Sequence, residues 1–243
     1  MPFLPRQLEV FEKCGLDWLW LIAEGAAANT HCTAWCRAQQ PRLSRDGTTE
    51  WLNEHRQHQR IRVFQRQSWD GKVAMCNTAL KLAREPGILL QVDADEIWTP
   101  QQLRTIHEMF DINRQFNCAF FACRYFVGPN LVVLPENDPI NNVWLRAWRY
   151  SPGDTFRTHE PPNLRQSYQG IPATHIYTIQ RGLVFDHFSY HSESQVAYKE
   201  DFYGGKHKNA VLHWKRLQKC RSFPVKLKDF FPWAKDGALV TKL

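Results

Sequence analysis

The chain has 243 residues, 43% of them hydrophobic, 13% aromatic and 23% charged. That is enough apolar side chain for a sizeable core, and too ordinary a charge content for a disordered protein. Lysine and arginine outnumber the acids 31 to 24, for a net charge of +7, and no stretch approaches the roughly 18 uninterrupted apolar residues of a membrane span.

The N-terminus, MPFLPRQLEVFEK, lacks the basic-then-apolar order of a secretory leader, so a cytoplasmic protein is expected. Seven cysteines, an odd and scattered set, read as reduced thiols rather than a disulfide framework. His31, Cys32 and Cys36 have the look of a zinc-site fragment, but no second ligand pair at matching spacing follows.

In chain order, FLPRQLEVFEKCG carries apolar residues at helical spacing before a glycine stop and predicts a first helix. LDWLWLIAEG predicts a buried strand ending in Glu24 and Gly25, and SRDGTTEWLNEHRQH a turn entering a capped helix. IRVFQR is a short strand, and GKVAMCNTALKLAREPG an amphipathic helix closed by Pro86 and Gly87. ILLQVD then predicts a second buried strand whose near-continuous apolar character is that of a parallel sheet covered on both faces. TPQQLRTIHEMF begins a helix with Thr99 as N-cap and Pro100 at its first position. CAFFACRYFVG is a strand. Residues 130–190 are Pro-rich and irregular, with strand-like VWLRAWRY and GLVFDHFSY. The last fifty residues read as helical and basic, with Lys206, Lys208, Lys215, Arg216, Lys219, Arg221, Lys226 and Lys228 facing few acids. The alternation of strands and helices predicts an α/β fold with an open, mostly parallel, Rossmann-like sheet and flanking helices, followed by a basic helical C-terminal region.

The chemistry concentrates where the apolar run Ile88–Val92 meets Asp93, Asp95 and Glu96. Carboxylates this crowded repel one another, and a hard divalent cation bound together with phosphate oxygens would offset that repulsion. In an open α/β sheet, ligands bind beyond the carboxyl ends of strands, where this cluster is expected. Lys72 opens a predicted helix, whose N-terminal N–H groups and an ammonium suit a diphosphate.

In order, Ser44–Thr48 (SRDGT), Gly71-Lys72 with Asn77, Asp93-Ala94-Asp95-Glu96, His159-Glu160, and His187-Phe188-Ser189-Tyr190 with Lys199 and Tyr203 resemble family 2 glycosyltransferases of the GT-A fold. The likeness, over residues 15–205, is greatest to the lipopolysaccharide-core glucosyltransferase branch. It implies a GT-A domain over residues 1–205, with a nucleotide-sugar half to about 130 and an acceptor half over 131–205, then a basic extension over 206–243. It also implies transfer of a hexose, with inversion, from a nucleotide sugar, a UDP-sugar first, to a carbohydrate, glycolipid or protein acceptor. Mn²⁺ or Mg²⁺ would be held by Asp93, Asp95 and His187. Glu24, Asp46, Lys72 and Asp93 would contact the nucleotide sugar, and Glu160 would be the catalytic base, with Glu96 and Asp138 as alternatives. Trp144 and Trp148 are candidates for lining a sugar site. Two features depart from the family pattern. The strand expected ahead of the first helix has no counterpart, and about twenty residues separate Glu24-Gly25 from Ser44.

Three other readings stay open at this level. A nucleotidyltransferase shares the fold and metal logic, but no Gly-rich phosphate loop is visible. A haloacid-dehalogenase-type phosphatase also places Asp-x-Asp after a strand, but on its first one. A non-catalytic module could use the basic C-terminal region, which also suits peripheral contact with an anionic membrane. No nucleic-acid motif accompanies that charge, so nucleic acid is not the expected partner.

Overall fold

The computed structural model describes residues 3–30, 34, 36–137, 143–234 and 236–243. His31, Cys32 and Asp138 lie outside the described residues. In chain order the elements begin with α1 (Leu4–Lys13), β1 (Trp20–Ala27), α2 (Thr48–Glu54), β2 (Ile61–Trp69), α3 (Gly71–Leu80), β3 (Gly87–Leu90) and β4 (Glu96–Ile97). Next come α4 (Pro100–Ile112), β5 (Phe116–Gly128), β6 (Leu131–Val133), β7 (Val143–Tyr150), β8 (Thr155–His159), β9 (Pro162–Arg165) and β10 (Ile171–Ala173). The chain finishes with α5 (His175–Ile179), β11 (Val184–His187), α6 (Glu193–Tyr203), α7 (Ala210–Gln218), β12 (Val225–Lys226) and β13 (Leu239–Lys242). They divide between a first unit (Met1–Gln91, Thr99–Ala119, Leu145–Ala173) and a second (Val92–Trp98, Phe120–Trp144, Thr174–Leu243).

In the first unit, α1 turns Leu4 and Leu8 inward onto Trp51, Leu52 and Ile61. Helix α4 starts as its sequence predicts: the Thr99 hydroxyl accepts from Gln102 N–H while the Gln102 side chain accepts from Thr99 N–H. Strands β1 and β2 pair in parallel from Trp20↔Ile61 to Ala27↔Trp69, with a register shift between Glu24 and Ala26. Gly25 makes that shift possible. Its φ is +133°, and a Cβ there would lie 1.8 Å from the Arg66 carbonyl oxygen. A second core gathers Leu80, Trp148, Tyr150, Phe156 and Leu164. Helix α3 is tied to β8 by Asn77, which donates to the Phe156 carbonyl at 2.9 Å and accepts from Phe156 N–H at 2.7 Å.

In the second unit, β11 lies parallel to β5 (Phe185↔Cys123) and antiparallel to β4 (His187↔Glu96). On the other side of β5 runs β6, antiparallel, followed by β13 and β12. The core there joins Val127, Val133, Val196, Leu217, Phe231 and Val240, so residues after 206 share one interior with β5, β6 and α6.

Two expectations need correction. The fold is mixed α/β, but its sheets are not mostly parallel. Among the described pairings β1–β2, β5–β10 and β5–β11 are parallel, whereas β3–β7, β4–β11, β5–β6, β6–β13, β8–β9 and β12–β13 are antiparallel. The run ILLQVD illustrates why: β3 pairs antiparallel with β7 (Leu89↔Trp148), because an apolar run reports burial and not the direction of its neighbour. The basic C-terminal region is helical only through α7. Beyond it Val225 pairs with Val240 and Lys226 with Leu239 as antiparallel strands, and the β-branched valines suit that pairing. No described helix is long and apolar enough to cross a membrane.

Candidate active site

The acidic segment is fixed by a short clip in the second unit. Strand β4 has two residues, and its antiparallel pairing with Asp186 and His187, extended by Phe188 N–H donating to the Asp95 carbonyl at 2.8 Å, sets Asp95 beside the end of β11. Glu96 is fully buried and accepts from Asp93 N–H at 3.2 Å, bracing the turn from within, a structural place and not that of a base.

The Asp95 carboxylate faces two basic groups. Its Oδ1 lies 3.6 Å from His187 Nε2 and its Oδ2 3.4 Å from Lys199 Nζ. Burial opposes ionisation of Asp95 most strongly, yet Lys199 and His187 outweigh it and hold the carboxyl well below the usual carboxylate range. Lys199, on α6, also donates to Ser189 Oγ and sits 5.0 Å from the Tyr190 ring centre. His187 is boxed by Tyr125, Trp144 and Phe185, with ring centres 5.3, 5.6 and 6.4 Å away. Its Nδ1 is buried without a hydrogen-bond partner.

This donor set bears on a divalent ion. An anionic oxygen and an imidazole nitrogen 3.6 Å apart are close enough for one ion bonded at about 2.1 Å to each. For Nε2 to bind it, the imidazole proton must move to Nδ1, where it meets no protein acceptor, a cost of about 1–3 kcal/mol. Asp95 would therefore be the stronger donor to such an ion and His187 the weaker one. Among the described residues no three His, Cys, Asp or Glu side chains converge as a metal cluster, so the expected trio of Asp93, Asp95 and His187 is not brought together as one.

The other expected site residues lie in the first unit. Glu24 is 5% exposed and fully engaged. Its Oε1 accepts from Ser44 N–H at 3.1 Å and the Thr49 hydroxyl at 2.5 Å, and its Oε2 accepts from Gln65 Nε2 at 2.7 Å. Glu24 thus ties the SRDGT turn to β1 and β2 across the intervening residues. Asp46 Oδ1 accepts from Thr48 N–H at 3.2 Å at the start of α2. Lys72 is half-buried on the first turn of α3. Glu160 is exposed in the two-residue turn joining β8 to β9, and the Thr158 hydroxyl closes that turn onto the Pro161 carbonyl at 2.7 Å.

Trp148 is 1% exposed and packs edge-on against Phe156, so it belongs to the core and not to a sugar surface. Trp144 instead faces His187. Lys199, Ser189 and Tyr190 belong to the motif that begins at His187, which by itself assigns them no role. The signal was their fixed spacing after His187, which α6 converts into proximity to Asp95.

No curated protein matches the chain. The sequence model described as "Glycosyl transferase family 2" matches residues 43–168, slightly more than half the length, and this span contains Asp46, Lys72, Asp93, Asp95 and Glu160. The chain belongs to glycosyl transferase family 2.

Proposed function

We propose that the protein transfers a sugar, a hexose, from a nucleotide-sugar donor to an acceptor hydroxyl in one inverting displacement assisted by a divalent ion. The observation that carries this reading is Asp95, a half-buried carboxylate kept ionised between His187 and Lys199 within a family 2 chain. When bound, a divalent ion supplies positive charge against the charge that develops on a departing diphosphate. The imidazole favours manganese over magnesium, which prefers oxygen ligands.

Asp95 would hold the ion, with His187 as a second donor, and Asp93 would border the diphosphate. Lys72, on the first turn of α3, adds an ammonium to backbone donors that suit phosphate. Asp46 contacts the nucleotide beside the turn, and Glu24 holds that turn in shape. Glu160 takes the acceptor proton as the acceptor oxygen bonds to the anomeric carbon and the carbon–diphosphate bond breaks. An exposed carboxylate can reach such a hydroxyl, and general-base catalysis is worth roughly 100- to 10,000-fold. A UDP-sugar is the donor we test first. A glycolipid acceptor would suit contact of Lys208, Lys219 and Arg221 with an anionic surface at the cytoplasmic side.

A thermal-shift panel of nucleoside diphosphates and nucleotide sugars, with and without manganese, tests the reading. One nucleotide should stabilise the protein only when manganese is present, and Asp95→Ala should erase that shift. Equal stabilisation without the metal would overturn the metal-assisted mechanism.

A further inference from the structure

Lys199 faces one oxygen of the Asp95 carboxylate while His187 faces the other. Its helix is latched to the segment that carries His187 and Ser189. Ser192 and Gln195 bond reciprocally at the start of α6, and Gln195 Nε2 donates to the Phe188 carbonyl at 3.0 Å. The ammonium is held by Ser189 Oγ and the face of Tyr190, two partners that do not depend on Asp95. Its distance to Asp95 Oδ2 is 3.4 Å, beyond the 2.7–2.9 Å of a closed charge-assisted bond. Lys199 therefore neutralises Asp95 without closing on it, from a side chain only 16% exposed.

Resting on the metal reading of Asp95, we propose that Lys199 is a built-in counter-cation. It occupies Asp95 in the ion-free protein, cedes the carboxylate to an arriving divalent ion, and then contributes its charge to the diphosphate. An ammonium and a divalent ion sharing one carboxylate repel strongly in a poorly solvated site, so the ammonium's presence weakens ion binding about tenfold or more. Ser189 and Tyr190 keep the ammonium near once Asp95 is ceded, and the flexible lysine stem allows the move.

The test uses the full chain, with Mn²⁺ alone followed by inorganic pyrophosphate added to the Mn²⁺-loaded protein. Free Mn²⁺ is read by electron paramagnetic resonance. Lys199→Met should bind Mn²⁺ about tenfold or more tightly than the parent and, once loaded, bind pyrophosphate about tenfold more weakly. Lys199→Arg, which keeps the charge, should stay near the parent in both. A lysine that merely braces the fold would change the two affinities in the same direction or neither. Lys199→Gln, uncharged but still a donor, should repeat the opposed shifts and covers the case in which methionine does not fold. Unchanged or weaker Mn²⁺ binding in a neutral variant with a native near-ultraviolet dichroism spectrum overturns the proposal. If Asp95→Asn abolishes Mn²⁺ binding while the neutral Lys199 variants leave it unchanged, this proposal falls and the metal reading stands. If the parent and those variants alike bind no Mn²⁺, both fall.

Discussion

Removing the Glu24 carboxylate should destabilise the first unit by an amount that follows from its bonds. Three donors, the Ser44 N–H, the Thr49 hydroxyl and the Gln65 amide, end on a side chain that is 5% exposed. Hydrogen bonds to a charged group contribute about 1.5–3 kcal/mol each but do not add fully, so Glu24→Ala should cost about 3–4 kcal/mol. For a chain of this size that is a fall in Tm of about 10 °C. Glu24→Gln should cost less. Its amide oxygen still accepts from Ser44 and Thr49, while its new NH₂ faces the NH₂ of Gln65. Gln65 cannot simply turn over, because its own oxygen accepts from Arg56. The remaining clash is worth about 1–2 kcal/mol, or a Tm fall of about 5 °C. Urea melts with unchanged slope give the free energies. The reasoning is refuted if Glu24→Ala lies within about 0.5 kcal/mol of the parent, the range of an ordinary surface change, or if glutamine costs more than alanine.

Three further outcomes are expected. Asp95 has a folded pKa below its unfolded value of about 3.9, so its contribution to stability is full above that pH and is lost as pH falls through the lower folded value. The Tm difference between the parent and Asp95→Asn should accordingly be largest near neutrality and shrink below about pH 4; a constant difference would contradict the ion-pair account. Glu160→Gln should leave Tm within about 1 °C, because the side chain is exposed at a turn, while transfer falls by roughly 100-fold or more; transfer at the parent rate removes Glu160 as the base. Gly25→Ala should cost more than about 3 kcal/mol or prevent folding, since its Cβ would overlap the Arg66 carbonyl at a φ of +133°; a soluble variant with the parent's melting curve would refute the close approach.

Local chemistry was readable from the sequence wherever partners are close along the chain. Thr99 and Pro100 announce the start of α4, because a helix cap depends on neighbours within one turn. Strand direction was not readable, because the apolar run before Asp93 is equally at home beside an antiparallel β7. Nor were the partners of Glu24, which come from 20, 25 and 41 residues downstream. The crowded carboxylates pointed correctly to an electrostatic problem. They did not reveal that Glu96 would be spent on the turn itself, or that a lysine would stand against Asp95. Those facts depend on α6 folding back, and spacing along the chain does not encode it.

The sequence separation of 104 from Asp95 to Lys199 sets a delay during synthesis. At 5–20 residues per second the ribosome releases the lysine about 5 to 20 s after the aspartate. For most of that interval the aspartate has neither His187 nor Lys199 to face, and β4 has no β11 to lie against. The acidic centre is therefore among the last parts of the protein to be assembled, and a chain interrupted before α6 emerges with a carboxylate lacking its counter-charge.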